Sequence, residues 1–180
     1  MPENYRLQEL VSRSEIAARV AALGEAINRD YAGREPTILA VLGGAFMFAA
    51  DLSRTLARFR FDCRIDFVRL ASYGESDESS GEIRLVHPPM LPVAGRDILV
   101  VEDIVDTGRT MRWLLDYLRQ EGAASVRLCV FIDKKERREV PLTPDYVGFD
   151  DLSGFLVGYG LDYAEKHRNL PEIYTIEDLG

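Results

Sequence analysis

The sequence predicts an α/β fold around a parallel β-sheet, and three features of the chain support this prediction. Two apolar runs, 37–42 and 98–101, are continuous rather than alternating, which is typical of strands covered on both faces. Segments with apolar residues at helical spacing separate the strand candidates. Glycines or charged residues directly follow these strands, at the edge of a parallel sheet where ligands gather.

The N-terminal part predicts a helix that serves packing. Ser12 and Glu15 have the spacing of a capping box, in which two side chains satisfy backbone N–H groups at a helix start. The apolar residues that follow recur at helical intervals, namely Ile16, Val20, Leu23 and Ile27.

A first strand–loop–helix unit covers residues 37–56. Its strand ends at Gly43 and Gly44, which predict a tight loop, and a helix is expected from Ala45 to Leu56. A second strand is expected at 64–70 and a fourth at 126–132.

The most informative segment is 98–110, with the sequence ILVVEDIVDTGRT. Its apolar half ends at Glu102 and Asp103, so we expect a buried strand with a charged tip. Residues 106–108 then turn the chain into a helix that Gly122 closes. Backbone N–H groups at a helix N terminus favour anions, so residues 106–110 are predicted to hold a phosphate, assisted by the hydroxyls of Thr107 and Thr110.

Two further segments interrupt the alternation of strands and helices. Residues 72–82 are polar and almost without apolar anchors. Their plain interpretation is a disordered surface loop, and the alternative is a mobile lid that orders over bound substrate. Segments 146–149 and 155–163 are aromatic and glycine-spaced, which predicts a hairpin-like region. Ordinary packing explains about half of these aromatics, and the alternative is a cap able to stack on a planar base.

Composition fits one compact domain over residues 1–180, because 47% hydrophobic residues can bury a full core. Cys63 and Cys129 lie in apolar stretches and are expected to be buried free thiols. The sequence contains neither a leader pattern nor an apolar run of the length that spans a bilayer, so we expect a cytoplasmic protein that does not bind membranes. A net charge of −8 argues against a nucleic-acid partner.

Segment 98–110 resembles the phosphoribosyl pyrophosphate signature of the type I phosphoribosyltransferases: a hydrophobic strand, two acids, two aliphatics, Asp, Thr-Gly and Thr. Asp-Thr-Gly also occurs at the catalytic turn of aspartic proteases, but a further strand follows it there, whereas Arg109 and an amphipathic helix follow it here. Further motifs are similar to the bacterial hypoxanthine-guanine branch of this family. They are Ala71-Ser72-Tyr73-Gly74 for the mobile loop, Asp133-Lys134 with Arg137-Arg138 for the base-recognition strand end, and 155–168 for the hood.

The resemblance implies a type I phosphoribosyltransferase core with a flexible lid loop at about 72–82 and a small hood at about 145–170. It also implies the reaction, a Mg²⁺-dependent transfer of ribose 5-phosphate from phosphoribosyl pyrophosphate to N9 of hypoxanthine or guanine. The expected assembly is a homodimer or a homotetramer.

The resemblance further assigns roles to individual positions. Asp106 matches the general acid-base against purine N7. Glu102 and Asp103 match the acids at the ribose hydroxyls, and with Asp162 they match the metal positions. Binding of the phosphates is implied for Gly43, Gly44, Ser72, Tyr73, Thr107, Gly108, Arg109, Thr110 and Arg168. Base binding is implied for Lys134 at O6, Phe155 by stacking and the Leu156 backbone at the Watson-Crick edge.

The first loop departs from the family pattern. Related enzymes carry Lys or Arg between the leucine and the glycine, where this chain has Gly43, so anion binding there is expected from backbone N–H groups.

Two functions of other classes remain as alternatives. A regulator on the same fold that binds RNA or a signalling nucleotide would need a basic face, and the basic clusters here are short. A repressor would need an added DNA-binding domain. About 35 residues precede the first core strand, which is enough for one helix and an arm but not for a helix-turn-helix unit with its own core.

Overall fold

The computed structural model describes residues 4–72 and 83–179, and of Ser72 and Asp178 only the backbone is described. The predicted lid therefore lies outside the described residues, apart from the backbone of Ser72. The elements run β1 (Tyr5–Val11), α1 (Arg13–Asp30), β2 (Thr37–Leu42), α2 (Phe46–Ala57), β3 (Arg64–Ser72), β4 (Ile83–His87), β5 (Asp97–Val105), α3 (Arg109–Gln120), β6 (Ser125–Asp133), β7 (Tyr146–Phe149), β8 (Leu156–Val157) and β9 (Ile173–Asp178).

A six-stranded sheet in the order β4-β3-β2-β5-β6-β7 forms the centre of the molecule. Every neighbouring pair is parallel except β3 and β4, which are antiparallel. Helices α1 and α2 pack on one face of this sheet and α3 packs on the other, so the central strands are covered on both sides. The predicted α/β fold with a parallel sheet is confirmed.

Helix α1 begins as the sequence predicts. The backbone N–H of Ser12 donates to the Glu15 carboxylate at 2.8 Å, and the Glu15 N–H donates back to the Ser12 hydroxyl at 3.3 Å. The apolar residues Ile16, Val20, Leu23 and Ile27 are all buried. The expected packing role therefore agrees with the contacts of the helix.

The strand that carries the two acids is longer than expected. Glu102 and Asp103 lie inside β5 rather than at its tip, because the ladder with β6 continues to the pairs Ile104 with Ile132 and Val105 with Asp133. The apolar run in the sequence marked only the most buried part of this strand. The charged pair is consequently followed by two further residues that pair with β6, whereas the pairing with β2 ends at Val101.

The aromatic C-terminal region also differs from the prediction in one respect. Residues 146–149 form β7, a parallel strand of the central sheet, and are not part of a hairpin. A second sheet in the order β1-β9-β8 contains Leu156 and Val157 instead. Its outer strand β1 was not predicted, because its residues alternate weakly and most of them are exposed. It is held by antiparallel pairing with β9 at the other end of the chain.

Candidate active site

Three chain segments meet where β2 and β5 approach the second sheet. The loop after β2 contains Gly43 and Gly44, and the Leu42–Gly43 peptide bond is cis. A Cβ atom added to Gly44 would lie 1.7 Å from Oδ2 of Asp103, and one added to Gly160 would lie 2.0 Å from the carbonyl oxygen of Gly44. Only glycine permits both approaches, so the loop, the acid pair and the turn after β8 are in direct contact.

The acid pair on β5 has two different environments. Glu102 is buried, and its carboxylate accepts the backbone N–H of Asp103 at 3.0 Å. Asp103 is partly exposed, and its carboxylate accepts the N–H of Ile104 at 2.8 Å. Burial raises the pKa of Glu102 well above its ordinary value, and the neighbouring Asp103 raises it further. A bound cation near the pair would therefore favour the ionised form of Glu102.

The predicted phosphate loop, residues 106–110, leads into α3 as expected. Gly108 caps the helix with a positive φ of 83°, a conformation that glycine adopts without strain. The hydroxyl of Thr107 accepts the N–H of Arg109 at 3.4 Å, and Thr110 lies in the first helical turn. No acidic residue occupies that turn, so the N–H groups and the positive dipole end of α3 favour an anion there.

Asp106 stands between the acid pair and this loop. One of its carboxylate oxygens, Oδ2, lies 3.2 Å from Nη1 of Arg137. The other, Oδ1, is buried and has no hydrogen-bond partner within the described part of the chain. A buried acceptor without a partner is costly, so this oxygen is suited to a donor supplied by a ligand.

The residues expected to bind a base come from the position directly after β6 and from the start of β8 with the residue before it. Nζ of Lys134 donates to the carbonyl oxygen of Gly154 at 2.8 Å, which brings the ammonium group to the residue preceding Phe155. The ring of Phe155 is 45% exposed and contacts Tyr163 edge-on at 5.7 Å between centroids. Leu156 follows in β8 with its side chain buried. The ammonium group of Lys134 therefore lies against the backbone directly before a partly exposed aromatic residue.

Asp162 and Arg168 form an ion pair in the turn after β8. Nη2 of Arg168 lies 2.8 Å from the Asp162 carboxylate, and Nη1 donates to the carbonyl oxygen of Gly160 at 2.9 Å. Within residues 4–72 and 83–179, no three side chains of the ligating types are grouped closely enough to hold a metal ion alone. Glu102, Asp103 and Asp162 thus do not form one cluster, and their roles as metal positions stay predictions.

One predicted site residue lies outside the described residues, and two residues near the site were given no role of their own from the sequence. Ser72 closes β3 opposite Ile83, whereas Tyr73 lies outside the described residues. Sequence reasoning did not assign a role to Gly160, although the glycine spacing around Tyr159 could have indicated its close approach. It also gave no separate role to Arg138, whose side chain is folded beneath the phosphate loop.

Comparison with known proteins agrees with this geometry. A model of the phosphoribosyl transferase domain matches residues 7–164. The chain is 43% identical over 174 residues to a hypoxanthine-guanine phosphoribosyltransferase of Aquifex aeolicus, which covers 96% of each chain. It is 42% identical over 170 residues to the same-named protein of Lactococcus lactis, over 93% of this chain and 90% of that one. A crystal structure of the hypoxanthine-guanine phosphoribosyltransferase of Bacillus anthracis matches with a TM-score of 0.87 at 37% identity, covering 97% of this chain and 100% of that one.

Proposed function

We propose that this chain, which belongs to the phosphoribosyl transferase family, is an enzyme of purine salvage. It transfers ribose 5-phosphate from phosphoribosyl pyrophosphate to N9 of hypoxanthine or guanine and releases pyrophosphate. The observation that carries this proposal is the placement of segment 102–110. Its acid pair, Asp106 and the N terminus of α3 follow one another along the chain, and the backbone N–H of Lys134 donates to Val105 in the same segment. The Lys134 side chain in turn reaches Gly154, the residue before Phe155.

The reaction requires opposite charges to be stabilised at the same time. As pyrophosphate leaves C1′, the ribose gains oxocarbenium character, and the carboxylates of Glu102 and Asp103 would lie against its hydroxyls and the developing cation. The N–H groups of residues 106–110 would hold the 5′-phosphate. Glycine at positions 43 and 44 would let backbone N–H groups approach the pyrophosphate, and Arg168 would bind it by charge.

Proton handling at the base is assigned to Asp106. Asp106 would accept the proton of purine N7 as the base changes its bonding at N9, and its Oδ1, which has no partner within the described part of the chain, supports this assignment. Arg137 holds the other oxygen, which keeps the carboxylate oriented. Such general acid-base assistance contributes roughly 10²- to 10⁴-fold in rate.

The family implies Mg²⁺ as cofactor, and the donors present fit that ion. Mg²⁺ binds through one or two carboxylates completed by substrate oxygens and water, so adjacent acids suffice without an all-protein cage. Glu102 and Asp103 would hold one ion and Asp162 would hold a second. When bound, the ions supply charge neutralisation for the departing pyrophosphate.

Base selection is assigned to the strand end of β6. An ammonium group offers only donors, so Lys134 would pair with the 6-oxo group of hypoxanthine or guanine and not with the amino group of adenine. Phe155 would stack on the base, and the Leu156 backbone would meet its Watson-Crick edge. In the free protein the carbonyl of Gly154 holds the Lys134 side chain in reach of that position.

The assembly is proposed to be a homodimer or a homotetramer. Ile65 and Phe67 are 47% and 41% exposed on one face of β3, whereas the alternate residues Asp66 and Val68 are buried. An uncovered apolar sheet face of this kind favours association. Light scattering measures the mass directly, and Phe67→Ser is expected to lower it if this face joins the subunits.

The enzyme is proposed to work in the cytoplasm. Cys63 and Cys129 are free thiols, which agrees with a reducing compartment. No helix in the described part of the chain is long and apolar enough to cross a membrane. Residues 1–180 are proposed to form one phosphoribosyltransferase domain.

A purine panel tests the proposed function. The purified protein is incubated with phosphoribosyl pyrophosphate, Mg²⁺ and each of hypoxanthine, guanine, xanthine and adenine, and nucleotide formation is followed. We expect IMP and GMP, with adenine the poorest substrate. Absence of nucleotide from every base would refute the proposed function, and adenine as the best substrate would refute the assignment of Lys134.

A further inference from the structure

Arg138 lies beneath the predicted phosphate loop and contacts two functional segments at once. Its Nε donates to the carbonyl oxygen of Asp106 at 3.0 Å. Its Nη2 donates to the carbonyl oxygen of Lys134 at 3.2 Å and to the carboxylate of Asp133, and Nη1 donates to the carbonyl of Leu142 at 2.8 Å. The side chain is only 15% exposed, although a free arginine at a surface turn would extend into solvent.

The backbone around Arg138 joins the same two segments. The N–H of Lys134 donates to the carbonyl of Val105 at 2.9 Å, and the N–H of Glu139 donates to the carbonyl of Thr107 at 2.9 Å. A Cβ atom added to Gly108 would lie 3.0 Å from Cδ of Arg138. The arginine therefore fills the space directly under the turn that caps α3.

The chemistry of the guanidinium group suits this position. It is planar and carries five N–H donors in fixed directions, so one side chain can hold several carbonyls in a defined arrangement. Its charge is balanced by Asp133, which is also buried. A lysine would keep the charge but could not reproduce the fork of donors.

We propose that Arg138 is a positioning residue that sets the phosphate loop and the base-reading segment in register with each other. This inference rests on the proposed function. Arg138 contacts neither base nor phosphate itself. It fixes the carbonyl of Asp106, at the start of the loop that binds the 5′-phosphate, relative to the carbonyl of Lys134, whose side chain reads O6.

The test compares how much the 5′-phosphate adds to binding in variant and wild-type protein. Calorimetry gives the Kd of GMP and of guanosine. The Kd of guanosine divided by the Kd of GMP measures how much the phosphate contributes to binding. Arg138→Lys is expected to lower this ratio about tenfold and to reduce kcat/KM for guanine, because several charge-assisted contacts are misaligned. Asp133→Asn keeps an acceptor but removes its charge, and about a threefold change in the same direction is expected. Arg119→Lys, at an exposed arginine paired with Asp116 on its own helix, is the matched control and should leave the ratio unchanged.

The outcomes separate this inference from the proposed function. A wild-type ratio in both Arg138→Lys and Asp133→Asn would overturn the positioning role while the enzyme remains active. If Arg138→Lys binds less than one ligand per protein molecule but keeps the wild-type ratio, part of the protein is misfolded and Arg138 serves folding alone. This result would also overturn the positioning role. A wild-type protein that forms no nucleotide and binds GMP no better than guanosine would instead refute the proposed function, and the inference with it.

Discussion

Arg137 and Asp106 form an ion pair with Nη1 and Oδ2 3.2 Å apart, although Arg137 is 72% exposed and Asp106 only 32%. The exposed arginine adds little stability through such a pair, because solvent screens its charge. Its effect is on orientation, since it occupies one oxygen of the carboxylate, while the buried Oδ1 has no hydrogen-bond partner within residues 4–72 and 83–179. The unmet hydrogen-bonding capacity of this carboxylate is thus confined to one oxygen.

Asp106→Asn tests the proton-handling role. We expect kcat to fall roughly 10²-fold and the KM for phosphoribosyl pyrophosphate to stay nearly constant, because proton acceptance is lost while the phosphate loop is kept. Steady-state kinetics with guanine measure both values. Asp116→Asn, on the exposed side of α3, serves as the control. An unchanged kcat in Asp106→Asn would remove this residue from the mechanism.

Gly44→Ala tests the contact between the first loop and the acid pair. The added Cβ would overlap Oδ2 of Asp103 at 1.7 Å, so either the loop or the carboxylate must move. Misplacement of about 1 Å costs roughly 10²-fold in catalysis, and we expect a loss of that order in kcat/KM. Gly43→Ala is the matched variant, since its Cβ would meet no atom of residues 4–72 and 83–179 within 4 Å. We expect it to lose at least tenfold less, and equal losses in the two variants would contradict the role of this contact.

The sequence predicted the elements whose signal is local. The capping box of Ser12 and Glu15, the strand 37–42 and the closure of α3 at Gly122 each depend on residues a few positions apart, and the structure agrees with each. The second sheet could not be predicted in this way, because β1 pairs with β9 across the whole chain. The same holds for Arg138, whose burial depends on carbonyls of three different segments.

Lys134→Ala tests the selection of 6-oxopurines. A charge-assisted hydrogen bond to O6 contributes about 1.5 to 3 kcal/mol, so the preference for hypoxanthine over adenine should fall by roughly 10- to 100-fold. The ratio of kcat/KM for the two bases measures this preference. Lys135→Ala is the adjacent control, because Lys135 pairs with Asp150 on the surface. Equal losses for both bases in Lys134→Ala would show that Lys134 does not read the base.

Glu102→Gln tests the buried carboxyl through the pH dependence of stability. Burial and the neighbouring Asp103 raise the pKa of Glu102 in the folded protein above its ordinary value of 4.5, so the folded state favours the neutral acid. The stability contributed by the neutral form is therefore complete below about pH 4.5 and is lost as pH rises towards the folded pKa. Glutamine keeps the shape and cannot ionise. We accordingly expect the free energy of unfolding of the wild type to fall relative to Glu102→Gln above that pH, by up to about 1.4 kcal/mol per pH unit.

Urea unfolding of both proteins between pH 4 and 8, without substrate or divalent cations, measures this difference. Glu121→Gln, at an exposed position after α3, is the control and should follow the wild type at every pH. The remaining titrating groups are common to wild type and variant, so the difference between the two curves isolates Glu102 and its coupling to Asp103. Parallel curves over this range would mean that Glu102 ionises as readily in the folded protein as in the unfolded chain, and the burial argument for its raised pKa would be wrong.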